Sequence, residues 1–504
     1  MIYLNGNDLT LKQLVDVARH HERIDIDPES KKRVEESSHF LKKMTALEDP
    51  VYGINTGFGH LSCVKIDKED INQLQINLLK SHACGVGDPL PIETVRAMMV
   101  LRINALVKGY SGIRLSTVQK LVELLNENII PVVYEKGSLG ASGDLALLSH
   151  MSLPLVGLGH VYYQGEILET NRAFEKAKVT PIDHLKAKEG LSLINGTQGM
   201  CAIGALVLHD ALNLLTLANL ALSLSMEALG GIVSAFQPEV HEIRNQIGQM
   251  LVAEEVLAHL EGSESALENH PSRVQDAYSI RCAPQVHGAS LDAFEHIYDI
   301  VEREMNAVTD NPLVFHENER IISAGNFHGQ PLALAFDYMG IAISELGNIS
   351  ERRIERMVNP HLSNGLPPFL VKKPGINSGF MIVQYTAASL VSENKVLSHP
   401  ASVDSIPSSA NQEDHVSMGS ISARKARTIL SNVQKIISME MMTALQAIDL
   451  RKITKLGKNT SQIYRILRKR IPFVEEDVIM YPMMHEIERI ITEPDFLDRV
   501  FDGE

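Results

Sequence analysis

Ala211-Leu212-Asn213-Leu214-Leu215-Thr216-Leu217-Ala218-Asn219-Leu220-Ala221-Leu222-Ser223-Leu224-Ser225-Met226 is the most apolar stretch of the 504-residue chain, and its reading decides the architecture. Polar residues at 213, 216, 219, 223 and 225 interrupt it, and it is shorter than the roughly 20 residues that cross a bilayer. A run apolar on every face reads as a helix buried all round in a bundle. Outward from it the same periodicity predicts long helices over 200–228, 238–260, 289–308, 330–357, 384–397 and 416–449. Such lengths exceed the mean of about 12 residues for globular helices and point to an elongated, mainly α-helical bundle.

Composition narrows the function. With 44% hydrophobic and 22% charged residues the chain reads as an ordinary soluble globular protein. The formal charge of −15 argues against a nucleic-acid partner, and the Lys- and Arg-containing run over 454–470 reads as a solvated helix face. Cys63, Cys84, Cys201 and Cys282 form no CxxC pair, which predicts neither a zinc site nor a disulfide framework and fits a reducing cytoplasm. The start, Met1-Ile2-Tyr3-Leu4-Asn5-Gly6, has neither a basic region nor a long apolar core of the signal-peptide kind.

Ahead of the long helices, a strand is expected at 2–4, then a helix opened by a capping box of Thr10 with Gln13, and a second helix after Asp27-Pro28. Val51-Tyr52-Gly53-Ile54-Asn55-Thr56-Gly57-Phe58-Gly59 is too glycine-rich for either regular element, which puts Tyr52 on a loop. A helix carrying Ile71, Leu74 and Leu78 ends near Ser81-His82-Ala83-Cys84-Gly85, so His82 falls at a helix end. A small hairpin is expected over 161–168, turning at Gln164-Gly165.

Gly137-Ser138-Leu139-Gly140-Ala141-Ser142-Gly143-Asp144 admits two readings. In the first it is a flexible turn, with Ser142 or Asp144 as N-cap of the helix that follows. In the second, Ala141-Ser142-Gly143 is itself a reagent. Attack of the Gly143 nitrogen on the Ala141 carbonyl carbon closes a five-membered ring, and loss of two waters leaves a methylene conjugated to it, which is a strong electrophile. Gly143 lacks the Cβ that would crowd closure, Ser142 supplies a hydroxyl to eliminate, and Ala141 is small.

Three further loops carry more polar and aromatic residues than a connection needs: 273–282 with Gln275, Tyr278 and Arg281, Gly325-Asn326-Phe327-His328-Gly329, and Ala410-Asn411-Gln412-Glu413-Asp414-His415. Singly, Arg281 reads as a surface ion pair, Phe327 as core and Glu413 as an N-terminal helix charge. Glu413-Asp414-His415 lacks the H-E-x-x-H spacing of a metal site.

Taken together, the Tyr52–Gly59 run, Gly-Ser-Leu-Gly-Ala-Ser-Gly-Asp-Leu at 137–145 and the Asn-Gln-Glu-Asp-His run at 411–415 resemble the aromatic amino-acid ammonia-lyase family, most closely its histidine-deaminating branch. The resemblance covers nearly the whole chain. It implies a helical fold of the fumarase/aspartase-like superfamily, with an N-terminal domain over 1–198 carrying the Tyr52 loop and the triplet, and a long-helix region over 199–504. It also implies that Ala141-Ser142-Gly143 becomes 4-methylidene-imidazol-5-one (MIO), with no metal or dissociable cofactor. Tyr52 then matches a proton-abstracting tyrosine and Tyr278 a second one near the reacting centre. Asn195 and Gln275 match polar residues that orient ring or substrate, Arg281 the carboxylate clamp, and Phe327 the aromatic beside the electrophile. His82 and Glu413 match positions facing the substrate side chain, with Glu413 an alternative base. Leu147-Leu148-Ser149, where relatives often carry a proline, implies an altered helix entry. The expected activity is deamination of L-histidine to trans-urocanate and ammonia by a cytoplasmic homotetramer with shared active sites, binding neither nucleic acid nor membrane. A tyrosine or phenylalanine ammonia-lyase or aminomutase with the same prosthetic group is the runner-up. A fumarase-like eliminase without it and an inert helical scaffold are the other classes.

Overall fold

The computed structural model of the chain describes residues 1–45, 70–270 and 273–503. Tyr52, its glycine-rich loop and Cys63 lie outside them. The described residues form two compact units, each assembled from three segments of chain.

The first unit comprises Met1–Leu206, Tyr298–Asp337 and Pro400–Arg424. Every strand among the described residues belongs to it. Ile2–Leu4 pairs in parallel with Ile24–Ile26, and the Leu11–Arg19 helix starts with the expected reciprocal Thr10–Gln13 capping box. Asp27 caps Pro28–Met44 by accepting from the Ser30 amide. The hairpin is His160–Tyr163 with Glu166–Glu169, turning at Gln164 and Gly165, both at positive φ. Val86–Pro89 pairs antiparallel with Tyr134–Lys136, the strand that leads straight into Gly137. The helix after the triplet, Leu145–Ser152, runs regularly through Leu147.

The second unit comprises Val207–Ile297, Tyr338–His399 and Lys425–Glu504, and is helical. The long helices, most of whose length falls in this unit, are Gln198–Leu229, Ala283–Met305, Gln330–Val358, Met381–Leu397 and Gly419–Arg451. The expected helix over 238–260 is instead two, Pro238–Glu242 and Ile247–His259, because Asn245 takes a left-handed conformation at φ +58°. Gln198–Leu229, at 32 residues, is long enough to cross a bilayer, and 72% of its apolar window is buried inside the protein. Its polar interruptions have partners there. Ser225 and Ser350 donate to Glu440, which also forms a fully buried ion pair with Arg353. Buried charge of this kind is tolerated only when fully hydrogen-bonded.

Candidate active site

The triplet is held from several directions by partners far away in sequence. Gly143 sits at φ +73°, a conformation that costs an L-residue about 1–2 kcal/mol. It forms an isolated parallel bridge with Gly196, and the Asp144 amide donates to the Gly196 carbonyl at 2.7 Å. A Cβ on Gly143 would lie 1.9 Å from that carbonyl oxygen, so only glycine fits. Ala141 is buried in a small cluster with Val416 and Met418. The Met418 amide donates to the Leu139 carbonyl at 2.8 Å, the Ser417 hydroxyl to the Gly140 carbonyl at 3.0 Å and the Ser420 hydroxyl to the Ser138 carbonyl at 2.8 Å. The segment that carries Glu413 thus packs along the back of the turn.

Asp144 does not cap the helix it precedes. Its carboxylate is fully buried and accepts from the Met200 amide at 2.7 Å, at the start of Gln198–Leu229, while Oδ1 has no partner among the described residues. Burial pushes its pKa up to about 7, with Glu304 nearby adding to the rise and the Met200 and Gly199 amides opposing it. Glu304 is itself raised by burial, with the Thr197 hydroxyl donating to it.

Asn195 ends the Glu189–Ile194 helix, one residue before Gly196. Its Nδ2 donates to the Asn311 carbonyl at 3.1 Å, and its buried Oδ1 has no partner among the described residues. The helix is fixed at both ends. Arg114 and Thr117 donate to buried Glu189, and buried Arg102 donates to the Asn195 carbonyl and Gln198 at 2.9 Å. Desolvation lowers Arg102 to about 10, still a cation at neutral pH.

A cavity of about 220 Å³ opens over the triplet, lined among others by Ser81, His82, Cys84, Ser142, Ser408 and Glu413. The Ser142 hydroxyl donates to Glu413 Oε1 at 2.9 Å, and the Ser408 hydroxyl to Glu413 Oε2 at 2.8 Å. Ser408 and Glu413 also exchange backbone hydrogen bonds, so Glu413 sits in a short bridge and not at a helix start. His82 is the last residue of Ile71–His82. Its Nδ1–H donates to the Leu78 carbonyl at 2.9 Å, which leaves Nε2 as an acceptor. Burial lowers the His82 pKa, partly offset by that carbonyl and by Glu413. Phe327 is half-buried, not core; its loop reaches the turn through the Gly329 amide to the Gly140 carbonyl at 3.4 Å. Among the described residues no cluster could hold a metal ion.

Gln275, Tyr278 and Arg281 belong to the second unit, where Tyr278 and Arg281 pack against each other. Gln275 and Tyr278 are exposed, Tyr278 at 70%, and the Arg281 guanidinium lies 4.6 Å over the Tyr278 ring. Arg281 Nε donates to the Asp276 carbonyl at 2.9 Å, and no ion pair joins it to another of the described residues. The anchor is Asp276, whose buried carboxylate accepts from Arg273 Nε at 3.0 Å and from the Ile232 amide at 2.6 Å.

Sequence reasoning missed Ser408, Cys84 and Asp276 as members of these clusters. No local pattern marks Ser408, Cys84 follows His82 within a run read only as a helix end, and Asp276 sits between two residues that were singled out.

Residues 9–469 match the family model for aromatic amino acid lyases. A histidine ammonia-lyase of Streptococcus gordonii is 53% identical over 503 residues, covering 99% of this chain and 98% of that protein. The crystal structure of histidine ammonia-lyase from Trypanosoma cruzi superposes with a TM-score of 0.92 at 42% identity, covering 99% of this chain and 95% of that one. A tyrosine aminomutase from Streptomyces globisporus reaches a TM-score of 0.95 at 36% identity, with 99% and 98% covered.

Proposed function

The chain belongs to the aromatic amino acid lyase family, and on that premise we propose that it is a carbon–nitrogen lyase, a histidine ammonia-lyase that converts L-histidine to trans-urocanate and ammonia. The observation that carries the choice of substrate is the cavity over the triplet, whose lining includes both His82 and Glu413. His82 Nε2 is an acceptor, and the Glu413 oxygens, which already accept from Ser142 and Ser408, keep further acceptor capacity, so an imidazole N–H finds a partner there that a phenyl ring cannot use.

The prosthetic group of this reading is MIO, formed from Ala141, Ser142 and Gly143, and the residues present fit it. Gly143 is at positive φ and lacks the Cβ that would strike Gly196, which leaves its backbone free of side-chain crowding, and the Oδ1 atoms of Asp144 and Asn195, without partners among the described residues, are spare hydrogen-bonding capacity near the triplet. Once formed, the group supplies an electrophilic methylene that turns a poor leaving group into a better one. The protein does the rest. Arg281 offers a planar, bidentate fork for the substrate carboxylate, and its packing over Tyr278 orders both side chains. Tyr52 and Glu413 are the candidates for removing the β-proton, with Tyr278 near the reacting centre. Asn195 and Gln275 orient ring or substrate, and Phe327 lies beside the electrophile.

Assembly into a homotetramer with shared sites belongs to the same reading. Exposed apolar side chains such as Ile243, Val274, Ile376 and Val403 support it. A cytoplasmic location is supported by the free cysteines Cys84, Cys201 and Cys282. The test is an assay of urocanate absorbance with the purified protein and its Ser142→Ala variant side by side. Wild type is expected to turn over L-histidine and the variant to be folded and inactive. Turnover of tyrosine or phenylalanine alone would select the runner-up, and an active variant would remove the prosthetic group from the reaction.

A further inference from the structure

We propose that Glu413 has an earlier task than lyase chemistry: it is the acid–base catalyst that dehydrates Ser142 while the triplet matures. The inference rests on the prosthetic-group reading above. Its ground is the contact made by the uncyclised triplet. The hydroxyl that must leave, Ser142 Oγ, hydrogen-bonds to Glu413 Oε1 at 2.9 Å. The other carboxylate oxygen is fixed by the Ser408 hydroxyl at 2.8 Å, and the Ser408–Glu413 backbone bridge fixes the segment. A carboxylate held by two hydroxyls, with one of them the departing group, is placed for proton transfer and not only for packing.

The chemistry balances without any added reagent. The Gly143 nitrogen bonds to the Ala141 carbonyl carbon. That carbonyl oxygen leaves as the first water, carrying the amide hydrogens of Ser142 and Gly143, and a C=N bond remains in the ring. The Ser142 Cα–H, now flanked by the Ser142 carbonyl and the C=N nitrogen, gives its proton to Glu413. The freed electron pair forms Cα=Cβ, the Cβ–Oγ bond breaks, and the oxygen departs as the second water with the proton that Glu413 returns. The carboxylate ends as it began. Its Oε1, relieved of the hydroxyl, then faces the new methylene as a free acceptor, so one carboxylate serves the making of the electrophile and afterwards its use.

The test is intact mass of freshly synthesised full-length chain, sampled over time, for wild type, Glu413→Gln, Ser408→Ala and, as a cavity-lining control, His82→Gln. Wild type and His82→Gln should become two waters lighter at the same rate. Glu413→Gln, which keeps a polar partner for Oγ but cannot shuttle a proton, should mature roughly 10²-fold more slowly or more and accumulate chain one water lighter or unreacted. Ser408→Ala, with the carboxylate retained, should be slowed less. Circular dichroism identifies a Glu413→Gln chain that fails to fold, and Ser408→Ala then decides the matter. Glu413→Gln maturing at the wild-type rate overturns the proposal, as does a folded Ser408→Ala indistinguishable from wild type when Glu413→Gln is unfolded. A wild-type chain that never loses water overturns the prosthetic-group reading instead.

Discussion

Replacement of Gly143 by alanine tests whether the close approach of two backbones makes the triplet reactive. The new Cβ would stand 1.9 Å from the Gly196 oxygen and 2.3 Å from its carbonyl carbon. Both are backbone atoms, which cannot rotate aside as a flexible side chain would. Three costs follow: about 1–2 kcal/mol for an L-residue at φ +73°, about 1–3 kcal/mol for overpacking, and about 1 kcal/mol for displacing the Asp144 amide from the Gly196 carbonyl. Together they come to about 3–6 kcal/mol, a large share of the roughly 5–15 kcal/mol that keeps a domain folded. Gly165→Ala is the control, since Gly165 has a similar φ of +82° with nothing within 4 Å of the added carbon. It should cost about 1–2 kcal/mol and leave maturation untouched. Thermal unfolding and intact mass read both effects. Gly143→Ala should melt well below Gly165→Ala and remain at unprocessed mass. If it melts with Gly165→Ala and loses two waters at the wild-type rate, the Gly143–Gly196 contact is not what prepares the triplet.

The pKa of Asp144, raised to about 7 from 3.8, means that the folded chain binds a proton there between about pH 4 and 7 that the unfolded chain does not. This contribution to stability is complete below pH 4 and is lost as pH rises to 7. Asp144→Asn, which keeps an acceptor for the Met200 amide, should therefore gain stability relative to wild type across that window and level off above it, as denaturant midpoints at several pH values would record. Asp276→Ala releases the loop bearing Tyr278 and Arg281, and kcat/KM for L-histidine should fall roughly 10²-fold, mainly through KM. Asp276→Asn should lose less, and equal KM in all three proteins would refute the anchoring role. Arg114→Ala strips the buried Glu189 of its cation and should cost about 2–3 kcal/mol. Adding Glu189→Gln should recover part of that loss in chemical unfolding.

The long helices were legible because their periodicity is local: each residue's partner face is set three or four positions away, and the observed bounds fall within a few residues of most expected ones. Where a boundary was missed, the cause was also local. Asn245 at positive φ divides 238–260, and an asparagine in that run was a readable warning. The capping box at Thr10 and the turn at Gln164-Gly165 were legible for the same reason. Asp144 was misread because its carboxylate serves a helix that starts 54 residues on, and no local rule ranks that partner above the helix immediately following. Glu413 looks structural when taken alone, and the structure pairs it with Ser142, 271 residues away, a partner that spacing cannot supply.

The contacts that hold the triplet itself are long-range pairings. Ser142 and Glu413 are 271 residues apart, Ser417 and Gly140 277, Ser420 and Ser138 282. The chain-closing entropy of such loops grows only slowly with their length, so distance in sequence costs the site little. It follows that the triplet becomes competent to close its ring only after residues near 196 and 413 have docked on it. Within this reading the electrophile forms late in folding, in a chain that already has the cavity to shield it. Pulse-labelled chain should then acquire protease resistance before it loses mass, and water loss preceding that resistance would reverse the order.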